Sequence, residues 1–313
     1  MRKAWIVKEQ WLERVTALVL TFNRKKLVKK TLDALAGQTR RLEKIFVVNN
    51  GSTDGTEIFL NELKTKYPAG LLEILTFKEN LGSSGGFARG MEHVLKKTKF
   101  KWLWIMDDDA VPEKRAVEKF MHFYNSLPLK KRNRIGVLQN QREVDHARFK
   151  TNIVPVSDVF GKPIYRVTFE GYCIKREVIE KIGFPRQEFF IYSDDIEYTW
   201  RAIRNGFRAY RVCGSMIYHR DWATIEKINR GIIAKPNIPP WKLYYRFRNP
   251  FLVCQNHPLL RFFIRIILSI DLLLWSFINP ENTYFAKRGI TDGINLVSGK
   301  IIAPESLPIQ QKE

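Results

Sequence analysis

Short apolar runs alternate with amphipathic stretches through the first half of the chain. The run Val15 to Leu20 (VTALVL) is apolar on both faces and predicts a buried strand. It ends at Thr21-Phe22-Asn23-Arg24, after which apolar positions recur at helical spacing to Leu35, with Gly37 as the stop. Lys44 to Val48 (KIFVV) predicts a second strand, closed by the turn signal Asn49-Asn50-Gly51-Ser52. A helix is expected from about Thr56 to Tyr67 and a strand from Leu72 to Phe77. Then come a flexible glycine-rich loop, Asn80 to Gly86, and a helix from Phe87 to Thr98. Trp102 to Met106 (WLWIM) predicts another buried strand, which runs straight into Asp107-Asp108-Asp109. A helix over Glu113 to Leu127 and a strand over Ile135 to Leu138 follow.

Strands alternating with helices predict an α/β class fold, a Rossmann-like, mostly parallel sheet wound by right-handed crossovers and flanked by helices. Ligands of such sheets bind beyond the carboxyl ends of the strands. The polar insertions Thr21-Asn23, Asn49-Ser52, Asn80-Gly86 and Asp107-Asp109 all fall at such ends, which predicts one shared site.

The second half is less regular. Thr168 to Lys175 leads into a short helix ending near Gly183, and Ser193-Asp194-Asp195-Ile196-Glu197-Tyr198 opens a helix to about Asn205. Ala209 to Val212 and Ser215 to Tyr218 predict two strands, the second followed by His219. The character changes from Lys242, where Tyr244-Tyr245-Arg246-Phe247-Arg248-Asn249 precedes the strongly apolar Leu259 to Ile278. The expected organisation is one α/β domain over 1–240, with halves at about 14–140 and about 141–240 that the resemblance described below implies to be nucleotide-binding and acceptor-binding. A helical segment, 241–313, completes it.

Composition narrows the class. A chain of 313 residues with 45% hydrophobic and 27% charged positions has the balance of a globular core. Cys173, Cys213 and Cys254 are scattered, with no CxxC pair, so neither a zinc site nor a disulfide framework is evident and a reducing compartment fits. The N-terminal MRKAWIVKEQ lacks the apolar run of a signal peptide. The net charge of +21 points to nucleic acid, an anionic membrane surface or a phosphorylated substrate. No helix-turn-helix, RNP-like strand or zinc finger accompanies it, so nucleic acid is not an expected partner.

The sharpest chemical signal is Asp107-Asp108-Asp109. Three adjacent carboxylates repel one another, and burial demands a counter-charge. Alternate residues at the end of an extended strand share one side, and oxygen ligands suit Mg²⁺ or Mn²⁺ bridging a diphosphate. The alternative is a solvated acidic turn ahead of Pro112. His219 also follows a strand and is chemically suited to a mixed Asp/His site, although a lone His is commonly structural. Asp194-Asp195 offers a general base or a helix-start acid pair favoured by the dipole. Gly82-Ser83-Ser84-Gly85-Gly86 offers backbone N–H groups to a phosphate but matches neither GxGxxG nor the Walker A pattern. Leu259 to Ile278 is long enough to span a membrane, but Arg261, Arg265 and Ser269 recur every four residues and Asp271 interrupts it. Two readings stay open for it: an amphipathic helix lying in a membrane interface, or a buried packing helix.

LVLTFNR (Leu18 to Arg24), VVNNGSTDGT (Val47 to Thr56), NLGSSGGFARG (Asn80 to Gly90), WLWIMDDDAVP (Trp102 to Pro112), FFIYSDDIEYTWR (Phe189 to Arg201) and IYH (Ile217 to His219) together resemble family 2 glycosyltransferases of the GT-A fold. NLGSSGGFARG, MDDDA, YYRFRN and ITDGINLVSGK are most similar to the bacterial galactofuranosyl- and rhamnosyltransferase-like branch. The resemblance implies an inverting, metal-dependent enzyme using a nucleotide-sugar donor, UDP- or dTDP-linked. UDP-galactofuranose is the first choice and dTDP-rhamnose the alternative. It implies a nucleotide-sugar site of Thr21, Asn23, Arg24, Asn50, Asn80, Gly85, Gly86, Arg89 and Asp108. It also implies a Mn²⁺ or Mg²⁺ site of Asp107, Asp109 and His219. Asp195 would be the base, with Asp194, Glu197 and Trp104 at the acceptor site. Asn49 stands where many members carry an acid, which keeps hydrogen bonding but drops a charge. The implied acceptor is a glycan or a polyprenyl-diphosphate-linked glycan, reached from the inner face of the cell membrane by peripheral attachment; an oligomer is left open. A sugar nucleotidyltransferase would need a glycine-rich, lysine-bearing first strand-to-helix turn, which Leu20 to Lys25 lacks. The non-enzyme alternative is a basic, membrane-attached binding module.

Overall fold

Period-two alternation with both faces apolar drives the central sheet. In the strand β1 (Val15–Thr21), Val15, Ala17 and Val19 enter one core while Leu18 and Leu20 enter another. The same split recurs in β2 (Lys44–Asn50), with Ile45 and Val47 opposite Phe46 and Val48. Such strands have no solvated face and require helices on both sides. The computed structural model describes residues 13–142, 155–165, 167–219, 238–278, 280 and 283–303. These belong to two compact units. The first takes the described residues of 1–80, 86–184 and 198–227, the second those of 81–85, 185–197 and 228–313. The second thus draws in two segments that lie within the sequence-expected α/β domain.

The first unit holds the sheet. After β1 and β2 come α1 (Lys25–Ala36), α2 (Thr56–Lys64), β3 (Leu72–Phe77), α3 (Gly82–Lys97), β4 (Trp102–Asp107) and the short β5 (Ala110–Pro112). The chain continues with α4 (Ala116–Ser126), α5 (Leu129–Arg132), β6 (Ile135–Arg142), β7 (Phe160–Pro163), β8 (Tyr172–Lys175), α6 (Arg176–Ile182), α7 (Asp194–Arg204) and β9 (Arg208–His219). The strand order is β3-β2-β1-β4-β8-β6-β9-β5, with β7 also on β9. Pairing is parallel from β3 through β4, then antiparallel at β8, and parallel again between β6 and β9. The α/β class with helix-flanked sheet is therefore the observed architecture.

Two local expectations change. The glycine-rich stretch is not a flexible loop but the opening of α3, because its glycines serve close packing. A Cβ on Gly86 would lie 2.5 Å from Leu20 Cδ1, and one on Gly90 2.8 Å from Val48 Cγ2. The two strands expected around Gly214 are one strand, β9, with a register shift where Asn140 pairs Val212 and Gln141 pairs Met216. Gly214 supplies the left-handed backbone there (φ +95°), and the buried Lys119 donates to its carbonyl (2.7 Å). Glu113 Oε1 accepts from Lys119 Nζ (2.6 Å) and from the Met216 N–H (3.0 Å), fixing the far side of the bulge.

Trp104, expected at the acceptor site, is a core residue. Its side chain is fully buried between the sheet and α4, edge-on to Phe120, and Nε1 donates to Asn140 Oδ1 at 2.9 Å. The strand alternation explains this, since Trp102, Trp104 and Met106 all enter the core on the α4 side.

The second unit is helical: α8 (Pro240–Val253), α9 (Pro258–Ile278) and α10 (Thr283–Ile294). Ile264, Leu268, Leu272 and Trp275 of α9 pack with Leu243, Phe247 and Phe251 of α8 and with Ala286 and Ile290 of α10. The helix also presents Phe262, Phe263, Ile266, Ile267, Ile270, Leu273 and Leu274 to solvent. It is thus a packing helix that keeps a second, exposed apolar face. Arg246 faces Asp271 at 3.8 Å, which accounts for the acid in this apolar run. No helix among the described residues is long and apolar enough to cross a membrane.

Trp104→Phe should test the core assignment. Losing the indole N–H leaves the Asn140 carbonyl oxygen short of a donor, at a cost of about 1–3 kcal/mol. Denaturant unfolding should show that loss, while the KM for acceptor stays unchanged.

Candidate functional site

In the first unit, the carboxyl ends of four strands, β1, β2, β3 and β4, supply the polar residues. β1 and β4 are neighbours in parallel register, with Leu20 opposite Asp107, so Thr21 and Asp108 are carried past the sheet edge together. Thr21 Oγ1 donates to Asp108 Oδ2 at 2.6 Å. Arg24 Nη1 donates to Asp108 Oδ1 at 3.3 Å and to Asp109 Oδ2 at 2.7 Å. Thr31 on α1 donates to the Asp108 carbonyl at 2.7 Å, tying the acidic turn to the first helix. Asp108 and Asp109 are buried and Asp107 is half-buried.

Burial pushes the Asp108 carboxyl up to about 6; the Arg24 charge and the Thr21 hydroxyl oppose that, and Asp109 adds to it. For Arg24 burial acts against the charge, but the carboxylates of Asp108, Asp109 and Asp107 outweigh it and its pKa rises. The buried acids are held by an explicit cation, which is what their sequence spacing demanded. His219 comes from β9, whose pairing with β5 sets its backbone opposite Ala110, the residue after Asp109. Its side chain lies outside the described set. No group of three or more His, Cys, Asp and Glu side chains among the described residues is gathered as a metal cage.

Beside this cluster the β2 and β3 ends form a second polar edge. Asn23 adopts a left-handed conformation (φ +55°); its N–H donates to Ser52 Oγ (2.9 Å) and its Oδ1 accepts from the Thr53 N–H (2.7 Å). Asn50 Nδ2 donates to Asn80 Oδ1 at 3.1 Å, joining the β2 and β3 ends. Gly51 (φ +76°) lies so close to the Glu79-Asn80 backbone that a Cβ would be 2.4 Å from the Glu79 carbonyl carbon. Asn49 is fully buried and its Oδ1 accepts from the Ser52 N–H (3.3 Å), so it shapes this turn. Gly86 would bring a Cβ within 3.3 Å of Asn50 Nδ2, whereas Arg89 is exposed on α3. The structure thus gathers Thr21, Arg24, Asp108 and Asp109, and separately Asn23, Asn50 and Asn80.

The acid pair opens α7, whose first residues, Asp194 to Glu197, belong to the second unit. Asp194 is buried, Asp195 and Glu197 are half-buried, and the Glu197 N–H donates to the Ser193 carbonyl (2.9 Å). Burial raises the Asp194 carboxyl to about 6; the neighbouring Ser84 side chain and backbone N–H groups oppose the rise, and Glu197 adds to it. Asp195 Oδ1 accepts from the Ile196 N–H at 2.7 Å. The chain enters this helix under strain, because Phe190, Tyr192 and Ser193 all have φ between +64° and +68°. Gly85 lies in the same unit as Gly82, whose Cβ position would fall 2.0 Å from the Phe190 carbonyl oxygen. Sequence patterns did not single out Ser84 or Thr31. A small hydroxyl residue in a glycine-rich run, and a threonine on the buried stripe of a helix, carry no mark of their partners.

The chain is similar to known proteins. The pattern described as "Glycosyltransferase like family 2" matches residues 13–230. Galactofuranosyltransferase GlfT1 of Mycolicibacterium smegmatis is 25% identical over 236 residues, covering 68% of this chain and 73% of that protein. Galactofuranosyltransferase GlfT2 of Mycobacterium tuberculosis is 26% identical over 210 residues, 57% of this chain, and the match spans only 31% of that longer protein. Among solved structures, residues 1–349 of Staphylococcus aureus TarS with UDP-GlcNAc align with a TM-score of 0.54 at 16% identity, covering 91% of this chain and 81% of that one. The mannosyltransferase PcManGT of Pyrobaculum calidifontis, with GDP-Man and Mn²⁺, aligns with a TM-score of 0.51 at 16% identity over 94% of both chains. The structural likenesses establish the fold, and the family pattern covers well over half of the sequence. With the acidic strand end and the polar edge of the sheet in place, this chain belongs to the family 2-like glycosyltransferases of the GT-A fold.

Proposed function

We propose that this glycosyltransferase moves galactofuranose from UDP-galactofuranose to a glycan or polyprenyl-diphosphate-linked acceptor with inversion at the anomeric carbon. The observation that carries this reading is the Thr21–Arg24–Asp108–Asp109 network at the carboxyl end of a parallel sheet, in a chain about a quarter identical to galactofuranosyltransferases. The nucleotide is assigned to the edge made by Asn23, Asn50 and Asn80, with Gly86 opening space beside Asn50. The donor alternative, dTDP-rhamnose, needs the same diphosphate site and differs at the base and sugar.

The donor set fits a hard divalent cation. Asp107 and Asp109 offer carboxylate oxygens, and the β5–β9 register delivers the backbone of His219 to their turn. These three residues would hold Mn²⁺ or Mg²⁺, which when bound offsets the charge on the departing diphosphate. Arg24 already supplies positive charge to Asp108 and Asp109 and is suited to orient phosphate oxygens. Asp195 is assigned as base: its carboxylate takes the proton of an acceptor hydroxyl as that oxygen bonds to the anomeric carbon. The carbon–oxygen bond to the diphosphate breaks, and the nucleoside diphosphate leaves. Asp194 and Glu197 flank the base on the same helix start and are assigned to the acceptor.

The exposed apolar face of α9, with Arg261 and Arg265 on the same helix and a net charge of +21, suits the inner surface of an anionic membrane. Such attachment would bring the enzyme to lipid-linked acceptors.

Three outcomes follow. In a thermal-shift titration, UDP with Mn²⁺ should stabilise the protein more than UDP alone, and Asp109→Ala should abolish the metal-dependent part. A shift with dTDP in place of UDP would move the donor to rhamnose, and none with any nucleotide would favour the binding-module reading. Asp195→Asn should lower kcat by about 10²–10⁴-fold with the UDP shift intact; full turnover would remove Asp195 as the base. In flotation with vesicles containing phosphatidylglycerol, the protein should rise with the lipid and be released by salt. The double change Phe262→Glu, Phe263→Glu should weaken binding about tenfold or more. Equal flotation of both proteins would reject membrane attachment through α9.

A further inference from the structure

We propose that Arg248 and Asn249 are positioning residues for the reaction, holding the segment before the acid pair in the one conformation that presents Asp195. This inference rests on the assignment of Asp195 as base, and all of its geometry lies within the second unit.

The segment from Glu188 to Ser193 has a backbone that L-residues avoid. Phe190, Tyr192 and Ser193 all have positive φ, and none is glycine. Left to itself this stretch would relax, since each such residue has lower-energy alternatives. What prevents relaxation is a row of donors on its carbonyls. Asn249 Nδ2 donates to the carbonyls of Phe189 (3.0 Å), Ile191 (2.6 Å) and Tyr192 (2.8 Å). Arg248 Nη2 donates to those of Glu188 (3.1 Å) and Phe189 (3.0 Å). The Phe190 carbonyl accepts from the Ser84 N–H at 3.2 Å. Every carbonyl from 188 to 192 is therefore engaged, four of the five by this one pair of side chains.

The pair is itself fixed. Arg248 Nε donates to Asn249 Oδ1 (2.8 Å), which also settles the amide orientation, and Arg248 Nη1 donates to the Gly299 carbonyl (2.7 Å). The guanidinium lies over the Tyr245 ring at 4.7 Å and the Tyr244 ring at 5.5 Å. Both Arg248 and Asn249 are fully buried. A buried guanidinium among carbonyls and aromatic rings is a costly way to fill space. It is an effective way to hold carbonyls that a relaxed chain would turn elsewhere, immediately before the two acids. A shift of about 1 Å in a reacting group lowers rates by about 10²-fold.

The test is Asn249→Asp, which keeps the shape and the acceptor for Arg248 Nε but removes the donors to three carbonyls. Turnover is followed by nucleoside diphosphate release from UDP-galactofuranose, or from dTDP-rhamnose if that nucleotide gives the thermal shift. Expected is a fall in kcat of about 10²-fold, with donor KM within twofold of the parent and the UDP-dependent thermal shift preserved. Arg248→Lys, which keeps the charge and loses the forked donor, is read in the same way and serves if Asn249→Asp does not fold. An unchanged kcat, a loss that only tracks the folded fraction, or a donor KM that rises in step would overturn the proposal; so would failure of both variants to fold, which would make the pair a folding element. Comparison with Asp195→Asn separates the two ideas. An inactive Asp195→Asn beside a fully active Asn249→Asp rejects the clamp alone. An active Asp195→Asn beside an inactive Asn249→Asp rejects the base assignment and with it the role given to the clamp.

Discussion

Acidic side chains delivered by an apolar strand need positive charge, and meeting that need organises the first unit. β4 is buried on both faces up to Met106, so the sheet cannot splay to let water reach Asp108 and Asp109 freely. Arg24 answers from the end of β1 because the two strands are parallel neighbours in register. A parallel sheet makes such an encounter natural, since it puts the carboxyl ends of several strands, and the turns that follow them, on one edge. The acidity of Asp108 is thereby weakened by burial and partly restored by Arg24 and Thr21.

Much of this was legible in the sequence, for a physical reason. Strands apolar on both faces give unbroken runs such as VTALVL and WLWIM, and the polar residues that end them mark the ligand edge. Two errors have the same root, which is that composition does not reveal what lies opposite. The stretch Asn80 to Gly86 reads as a flexible loop, yet Gly86, like Gly90 in the helix that follows, is a site of close helix–sheet approach. Trp104, expected at the acceptor site, alternates with Trp102 and Met106, which places it on an inward face. Ser84, Thr31 and the grip of Arg248 and Asn249 on Phe189 to Tyr192 could not be read, because each depends on contacts far apart in the chain. The YYRFRN run did stand out, as part of the resemblance to the galactofuranosyl- and rhamnosyltransferase-like branch, without disclosing what it holds.

Helix α9 carries a packed apolar face and an exposed one. A stripe of Ile264, Leu268, Leu272 and Trp275 satisfies the packing of the helical unit, yet the remaining apolar positions face outward. Hydropathy summed along a helix does not separate these faces, and neither does its length.

The bulge in β9 has a consequence for how this site tolerates change. Upstream of Gly214 the strand is anchored to β6 through Val212, and downstream it is anchored to β5 through His219 opposite Ala110. The extra length between those anchors acts as a spacer that sets the reading frame of the strand's far end. Deleting one residue there would leave the upstream pairing intact and advance the next residue in sequence, Arg220, into the position opposite Ala110. The register position opposite Ala110 would then carry an arginine, a permanent cation, by a change of spacing alone and with no substitution.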